Sequence, residues 1–203
     1  MIITWHGESC FKIQSGEQSI LIDLPSKESG LTAPRFKVDA ILKTSQELPL
    51  PFEKSETPLI VGPGEYEVNG IVIDGYQLLK DSDEKIIKTI YRVVFDEIKL
   101  VFLGEISKLP EAKELEGVMG ADILFIPGDG SPHIDIEGAT KLIKQLKAKI
   151  VIPTLLKTPG LKRKAGDGKE FLKEIGQNPA SIEKLVIKKK DIGEKLQVVV
   201  LKV

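Results

Sequence analysis

The chain has 203 residues, of which 41% are hydrophobic and 29% are charged, and its net charge is −1. This length is sufficient for one domain with a large core. The balanced charge argues against a dedicated nucleic-acid surface, and no apolar run approaches the roughly 20 residues of a membrane helix. The single cysteine, Cys10, cannot form an internal disulfide, and no secretory signal is recognisable, so we expect a cytoplasmic protein.

The first two-thirds of the chain predicts β-strands. Short β-prone runs are separated by turn residues such as Ser15-Gly16. The dipeptide Asn69-Gly70 suits the positive φ angles of a type I′ turn and predicts a hairpin between its flanking strands. The predicted strands are Ile2–Trp5, Cys10–Gln14, Ser19–Asp23, Val38–Leu42, Leu59–Val61, Glu65–Val68, Ile71–Leu79, Ile86–Phe95 and Ile98–Leu103.

The last third of the chain predicts helices between strands. Apolar residues recur at helical spacing from Ile136 to Leu146, and Asp135 precedes them as an N-cap candidate. This order, β-rich and then mixed, favours two packed sheets with outer helices in one domain covering residues 1–203. The remaining predicted elements are helices Pro110–Leu115 and Gly168–Ile175 and strands Ile123–Ile126, Ile150–Ile152 and Leu196–Val203.

Six sequence segments occur in the order and spacing of a known family. The chain resembles the metallo-β-lactamase-fold superfamily, in particular its small Zn-dependent hydrolase branch of the ascorbate-6-phosphate lactonase type. The resemblance implies an α/β (α+β) fold, an αββα sandwich of two mixed β-sheets with outer helices. The segments are ITWHGESCFKI from Ile3, SILIDLP from Ser19, IVGPGEYEVNGIVIDG from Ile60, LVFLGEIS from Leu100, ADILFIPGDG from Ala121 and KIVIPTLLKT from Lys149.

The zinc ligands of that family are missing from this chain. In the segment Asp39–Phe52, where the resemblance implies HxHxDH, the four ligand positions carry no histidine and no aspartate. Zinc is bound by imidazole, thiolate or carboxylate, so this sequence predicts that no metal is held there. The implied ligand positions are Ser45, Glu47, Pro49 and Leu50, followed by Lys80, Glu105 and Leu155, with Glu8 in place of an N-terminal Gly-His-Ser histidine.

Some residues of the implied cleft retain polar chemistry. Glu8, Glu47 and Glu105 carry carboxylates that could bind a hard cation or a cationic ligand. The alternative is that they are solvated surface side chains, as most glutamates are. Asp129 and His133 lie in a glycine-rich loop that lacks the pattern of a phosphate-binding loop. The degenerate cleft candidates are therefore Glu8, Ser45, Glu47, Lys80, Glu105, Asp129, His133 and Leu155, with no catalytic residue and no cofactor predicted.

Two function classes follow, and a third is weaker. The leading interpretation is a non-catalytic member of these hydrolases that binds a small molecule or a protein, with homo-oligomerisation left open. The alternative is a hydrolase of an ester, lactone or phosphate-bearing substrate that uses a different metal or none. Nucleic-acid binding would rest on the short basic runs Leu161–Lys164 and Lys188–Lys190, which we interpret as solvated loops.

Overall fold

A computed structural model describes residues 1–50 and 56–203 of the chain. Its elements are fourteen strands and three α-helices. Short 3₁₀ turns cover Lys27–Ser29, Glu116–Val118 and Lys189–Asp191. The strands are β1 (Ile2–Trp5), β2 (Phe11–Ser15), β3 (Gln18–Ile22), β4 (Ala40–Lys43), β5 (Ser45–Glu47), β6 (Leu59–Val61), β7 (Gly64–Val68), β8 (Ile71–Gln77), β9 (Ile86–Phe95), β10 (Ile98–Phe102), β11 (Ile123–Pro127), β12 (Ile150–Thr154), β13 (Lys184–Val186) and β14 (Gln197–Val198), and the helices are α1 (Ala112–Leu115), α2 (Ile136–Leu146) and α3 (Lys169–Ile175).

The strands form two mixed β-sheets. The first has the order β13-β1-β2-β3-β4-β6, with β3, β4 and β6 parallel and the others antiparallel. The second has the order β14-β12-β11-β10-β9-β8-β7, and β5 pairs with β9 beside it. Its β14, β12, β11 and β10 run parallel, whereas β9, β8 and β7 continue antiparallel. This is the predicted fold class of two mixed sheets with few helices.

The alternation of side chains along the strands separates two apolar layers. In β10, Leu100 and Phe102 join the core between the sheets, whereas Val101 joins the layer beneath the helices. Phe125 of β11 packs on Phe102 with ring centroids 4.3 Å apart and on Phe11 of the first sheet at 4.7 Å. Strand β11 is a continuous apolar run, and β12 is one up to Thr154; both are buried on both faces, as expected for parallel strands.

Helix α2 begins and ends where its sequence predicts. The Oδ1 atom of Asp135 accepts the Gly138 N–H at 2.7 Å, which caps the first turn. Ala139, Leu142 and Leu146 are buried against the outer face of the second sheet. None of the helices in residues 1–50 and 56–203 is long and apolar enough to span a membrane.

The structure confirms most predicted elements and corrects several. The hairpin turn at Asn69-Gly70 has φ angles of 50° and 81°, as a type I′ turn requires. Strands β5 and β13 were not predicted, because both are only three residues long and pair with the distant strands β9 and β1. The predicted strand Leu196–Val203 is wrong in extent, since only Gln197–Val198 forms a strand and Leu201 makes an isolated bridge.

Candidate functional site

A cleft of about 840 Å³ opens beside the strand ends of the two sheets. Five of the predicted candidates line it: Glu8, Ser45, Glu47, Glu105 and His133. Three others do not. The Lys80 ammonium pairs with Glu111 at 3.5 Å, and Asp129 and the Leu155 carbonyl accept hydrogen bonds from Arg163.

The segment that corresponds to the implied HxHxDH contributes little ligand chemistry. Ser45 and Glu47 belong to β5 and face the cleft. The Leu48-Pro49 peptide bond is cis, and Leu50 is 54% exposed. Pro51 and Phe52, at the end of the segment, lie outside the described residues.

The dominant feature of one cleft wall is the side chain of Arg163. Its Nε is 3.0 Å from both carboxylate oxygens of Glu8, and its Nη2 is 2.9 Å from Glu8 Oε2. Its Nη1 donates to Asp129 Oδ2 at 2.8 Å and to the Lys164 carbonyl at 3.2 Å, and its Nη2 donates to the Leu155 carbonyl at 2.8 Å. The guanidinium therefore bridges two carboxylates and leaves no nitrogen without a partner.

This arginine corrects the interpretation of its loop as a solvated basic run. The Asp129 side chain is fully buried, and those of Glu8 and Arg163 are 12% and 28% exposed. Burial lowers the pKa of the Arg163 guanidinium, but the hydrogen bonds to Glu8 and Asp129 outweigh burial and raise the pKa overall. The paired carboxylates hold a permanent positive charge in the wall.

The backbone brings these residues together from distant parts of the sequence. The Glu8 carbonyl accepts hydrogen bonds from Trp5 Nε1 at 2.9 Å and from the Leu155 N–H at 3.1 Å. Glu8 and Leu155 both have positive φ angles, 51° and 63°, a left-handed conformation that is costly for a leucine. The Arg163 loop approaches so closely that a Cβ atom at Gly166 would lie 2.7 Å from the Asp129 carbonyl.

His133 belongs to the same network. Its Nδ1 lies 2.9 and 3.0 Å from the two oxygens of Asp129, and its side chain is 11% exposed. In the tautomer that donates Nδ1–H to this carboxylate, Nε2 is an acceptor. Asp129 thus bonds both Arg163 and His133 from behind the wall.

The opposite wall and the floor carry a different set of acidic groups. Asp23 directly follows β3, and its carboxylate accepts the Thr44 N–H at 2.7 Å and the Thr44 hydroxyl at 2.6 Å. Burial raises the pKa of Asp23 to about 7; the hydrogen bonds from Thr44 oppose this shift and the Glu105 carboxylate adds to it. Glu47 and Glu105 are exposed, and within residues 1–50 and 56–203 their carboxylates contact no cation.

Sequence reasoning missed Arg163 and Asp23 as cleft residues. Arg163 is 155 positions from Glu8, and its neighbours Lys162 and Lys164 gave it the pattern of an exposed loop. The sequence signal for Arg163 was Asp129, a carboxylate close after the apolar strand β11. A carboxylate that is buried at such a position needs a cation as a partner. For Asp23, the signal was an aspartate directly after the buried strand β3.

Comparisons with known proteins agree with this architecture. The family model described as a beta-lactamase superfamily domain matches residues 2–155. A candidate Zn-dependent hydrolase of the metallo-β-lactamase superfamily from Thermotoga maritima superposes with a TM-score of 0.80 at 24% identity, covering 100% of this chain and 98% of that one. No sequence among curated proteins matches the chain significantly.

Two further solved structures share the fold at lower identity. A metallo-β-lactamase-fold protein from Bacillus subtilis has a TM-score of 0.63 at 13% identity, over 99% of this chain and 96% of that one. An isothiocyanate hydrolase from Delia radicum gut bacteria has a TM-score of 0.60 at 14% identity, over 93% and 100%. At these identities the structural likeness establishes the fold.

Proposed function

The chain belongs to the family described as a beta-lactamase superfamily domain, which has the metallo-β-lactamase fold, and we propose that it is a non-catalytic member of these hydrolases. In this proposal its zinc site is lost and its cleft serves to bind a ligand or a protein partner. The loss of zinc is argued from the side chains at the family's ligand positions. The binding role is argued from the cleft that remains.

The side chains at the family's ligand positions do not fit zinc. Pro49, Leu50 and Leu155 cannot ligate a metal, and Lys80 brings a positive charge that is already directed to Glu111. Within the described part of the chain, no group of three or more His, Cys, Asp or Glu side chains is placed to hold a metal ion. We therefore assign no chemical step in this protein to zinc.

The observation that carries the proposal is the position of the Arg163 guanidinium. It is bonded to the Glu8 carboxylate and to the Leu155 carbonyl, and both residues stand at positions where the resembled family carries histidine. It also neutralises Asp129. A tethered cation thus supplies the positive charge that these carboxylates require, and a divalent ion would have to displace a fully hydrogen-bonded side chain.

Metal content and hydrolytic activity test this proposal directly. Protein purified without chelators is expected to contain far less than one zinc per chain by elemental analysis. It should also leave model esters, lactones and phosphate esters intact with or without added Zn²⁺ or Mn²⁺. About one dialysis-resistant zinc per chain, or hydrolysis above a protein-free control, would contradict the proposal.

The alternative function is a metal-independent hydrolase, and one observation favours it. The Asp129–His133 pair, with Nδ1 held at 2.9 Å, orients an imidazole beside the cleft as a general base is oriented in many enzymes. Hydrolysis that is abolished in His133→Gln and unaffected by chelators would support this alternative. Nucleic-acid binding is less favoured, because Arg163 of the basic loop is directed into the protein.

A further inference from the structure

A second, much smaller cavity lies beneath the floor of the cleft. Its volume is about 10 Å³, close to the space that one water-sized group needs. Ser9 and Asp23 line both this cavity and the cleft, so the two are adjacent. Thr154 is the third polar residue of its wall, and Phe102 and Phe125 are among the apolar ones.

Two hydroxyl groups in this cavity have no hydrogen-bond partner. Ser9 and Thr154 are only 5% and 3% exposed, and within the described residues neither Oγ nor Oγ1 is bonded to another protein group. Buried polar groups are hydrogen-bonded in the great majority of proteins, and an unsatisfied one is costly. The cavity therefore provides both the space for a small polar group and acceptors that lack a donor.

We propose that this cavity is a subsite for the primary ammonium group of a small organic amine, which enters from the cleft. The inference rests on the proposed function, since it names the class of ligand for the same cleft. A primary ammonium has three N–H donors. The cavity offers them three acceptors: Ser9 Oγ, Thr154 Oγ1 and the carboxylate of Asp23.

The charges around the cleft favour a cation over an anion. All donor groups of Arg163 are engaged with Glu8, Asp129 and backbone carbonyls, so its guanidinium is not free to bind an incoming anion. Lys27 and Lys43 also line the cleft, and the Lys43 ammonium donates to Gln46 at 2.9 Å. The lining nevertheless holds five carboxyl groups, those of Glu8, Asp23, Glu28, Glu47 and Glu105, against the three cations Lys27, Lys43 and Arg163.

The apolar part of the wall limits the size of the group. Phe11, Phe102 and Phe125 are buried in the core between the sheets and leave space for one heavy atom with its hydrogens. A primary ammonium is similar in size to water and meets this limit. A quaternary ammonium is larger and has no N–H to donate, so it serves as a control of equal charge.

The test is a titration of the ¹⁵N-labelled protein with methylammonium chloride, followed by amide chemical shifts near Ser9, Asp23 and Thr154. Sodium chloride keeps the ionic strength constant. We expect saturable shifts with methylammonium and with ethylammonium, and none with tetramethylammonium. Thr154→Val, which replaces the hydroxyl by a methyl group of similar size, should weaken binding at least about tenfold.

A matched variant controls for effects of removing any buried hydroxyl. Thr89 is also buried, at 1% exposure, but it does not line this cavity. Thr89→Val should bind methylammonium as the native protein does, and Ser9→Ala should lose binding in the same way as Thr154→Val. All three substitutions change the side-chain volume only slightly. Unchanged amide spectra away from the cavity would show that the variants fold.

Several results would overturn the subsite. These are no saturable shift in the native protein, equal shifts with tetramethylammonium, or equal binding by Thr154→Val and Thr89→Val. A crystal structure soaked in methylammonium that shows only a water in the cavity would also overturn it. Such a failure is distinct from failure of the proposed function, because zinc content and hydrolysis are measured without any amine.

Discussion

The two sides of the cleft differ in how their carboxylates are balanced. On one side, Glu8 and Asp129 share the guanidinium of Arg163, and every charge is paired in a largely buried network. On the other, Glu47 and Glu105 are exposed and contact no cation within the described residues, and the Asp23 carboxylate accepts two hydrogen bonds from Thr44. A buried carboxylate needs a paired cation, whereas water screens the charge of an exposed one.

The largest expected effect comes from breaking the paired side. Arg163→Ala leaves Glu8 and the fully buried Asp129 without a cation, and we expect a loss of about 3 kcal/mol in the free energy of unfolding. Urea denaturation at pH 7 measures this loss. The neighbouring Lys164→Ala should change stability by less than about 0.5 kcal/mol, because no ion pair involves its side chain in the described part of the chain.

The same variant also tests whether Arg163 stands in for a metal ion. With the guanidinium removed, the carboxylates of Glu8 and Asp129 lose the cation that they share. We expect millimolar Mg²⁺, Mn²⁺ or Zn²⁺ to restore part of the lost stability in Arg163→Ala and to have no such effect on the native protein. Equal responses of both proteins to these ions would contradict the comparison between the two sides.

The second prediction concerns Asp23, the acidic group at the floor. Because burial raises its pKa from 3.8 to about 7, the native state binds a proton more tightly than the unfolded state. Stability contributed by this proton is complete below about pH 4 and is lost as the pH rises towards 7. Each pKa unit corresponds to about 1.4 kcal/mol, and partial exposure of Asp23 reduces the expected loss to roughly 1–2 kcal/mol.

The variant that isolates this effect is Asp23→Asn. Its amide oxygen can still accept the Thr44 N–H, while the charge is removed. Unfolding free energies measured from pH 4 to pH 8 should fall for the native protein and fall less for the variant, so that Asp23→Asn is the more stable protein at pH 8. Parallel pH profiles would show that the floor carboxylate is solvated as Glu105 is.

A third prediction separates the two partners of Asp129. His133 shares that carboxylate with Arg163, but its contribution is a single hydrogen bond at 2.9 Å. His133→Gln should therefore cost about 1 kcal/mol, clearly less than Arg163→Ala, in the same urea experiment. A loss as large as that of Arg163→Ala would mean that the imidazole, rather than the guanidinium, holds the buried side together.

Sequence reasoning predicted the sheets better than the cleft, for a physical reason. Period-two alternation and continuous apolar runs report burial locally, and they located strands such as Ile86–Phe95 and helix α2. The Arg163 network joins residues more than a hundred positions apart through side-chain geometry, which no local pattern encodes. The resemblance to a family identified the positions where zinc ligands are missing, but it did not indicate that Arg163 bonds Glu8 and Asp129.

The smallest expected effect is on the unpaired side. Glu105 is exposed and its carboxylate makes no ion pair within residues 1–50 and 56–203, so Glu105→Gln should change the unfolding free energy by no more than about 0.5 kcal/mol. The change should be slightly stabilising at neutral pH, since the Glu105 charge disfavours ionisation of the nearby Asp23. Thermal melts with and without millimolar Mg²⁺, Mn²⁺ or Ca²⁺ are the measurement. A divalent ion that stabilises the native protein but not Glu105→Gln would reveal a cation site on this side. Both sides of the cleft would then depend on a cation, the Arg163 guanidinium on one side and an ion bound from solution on the other.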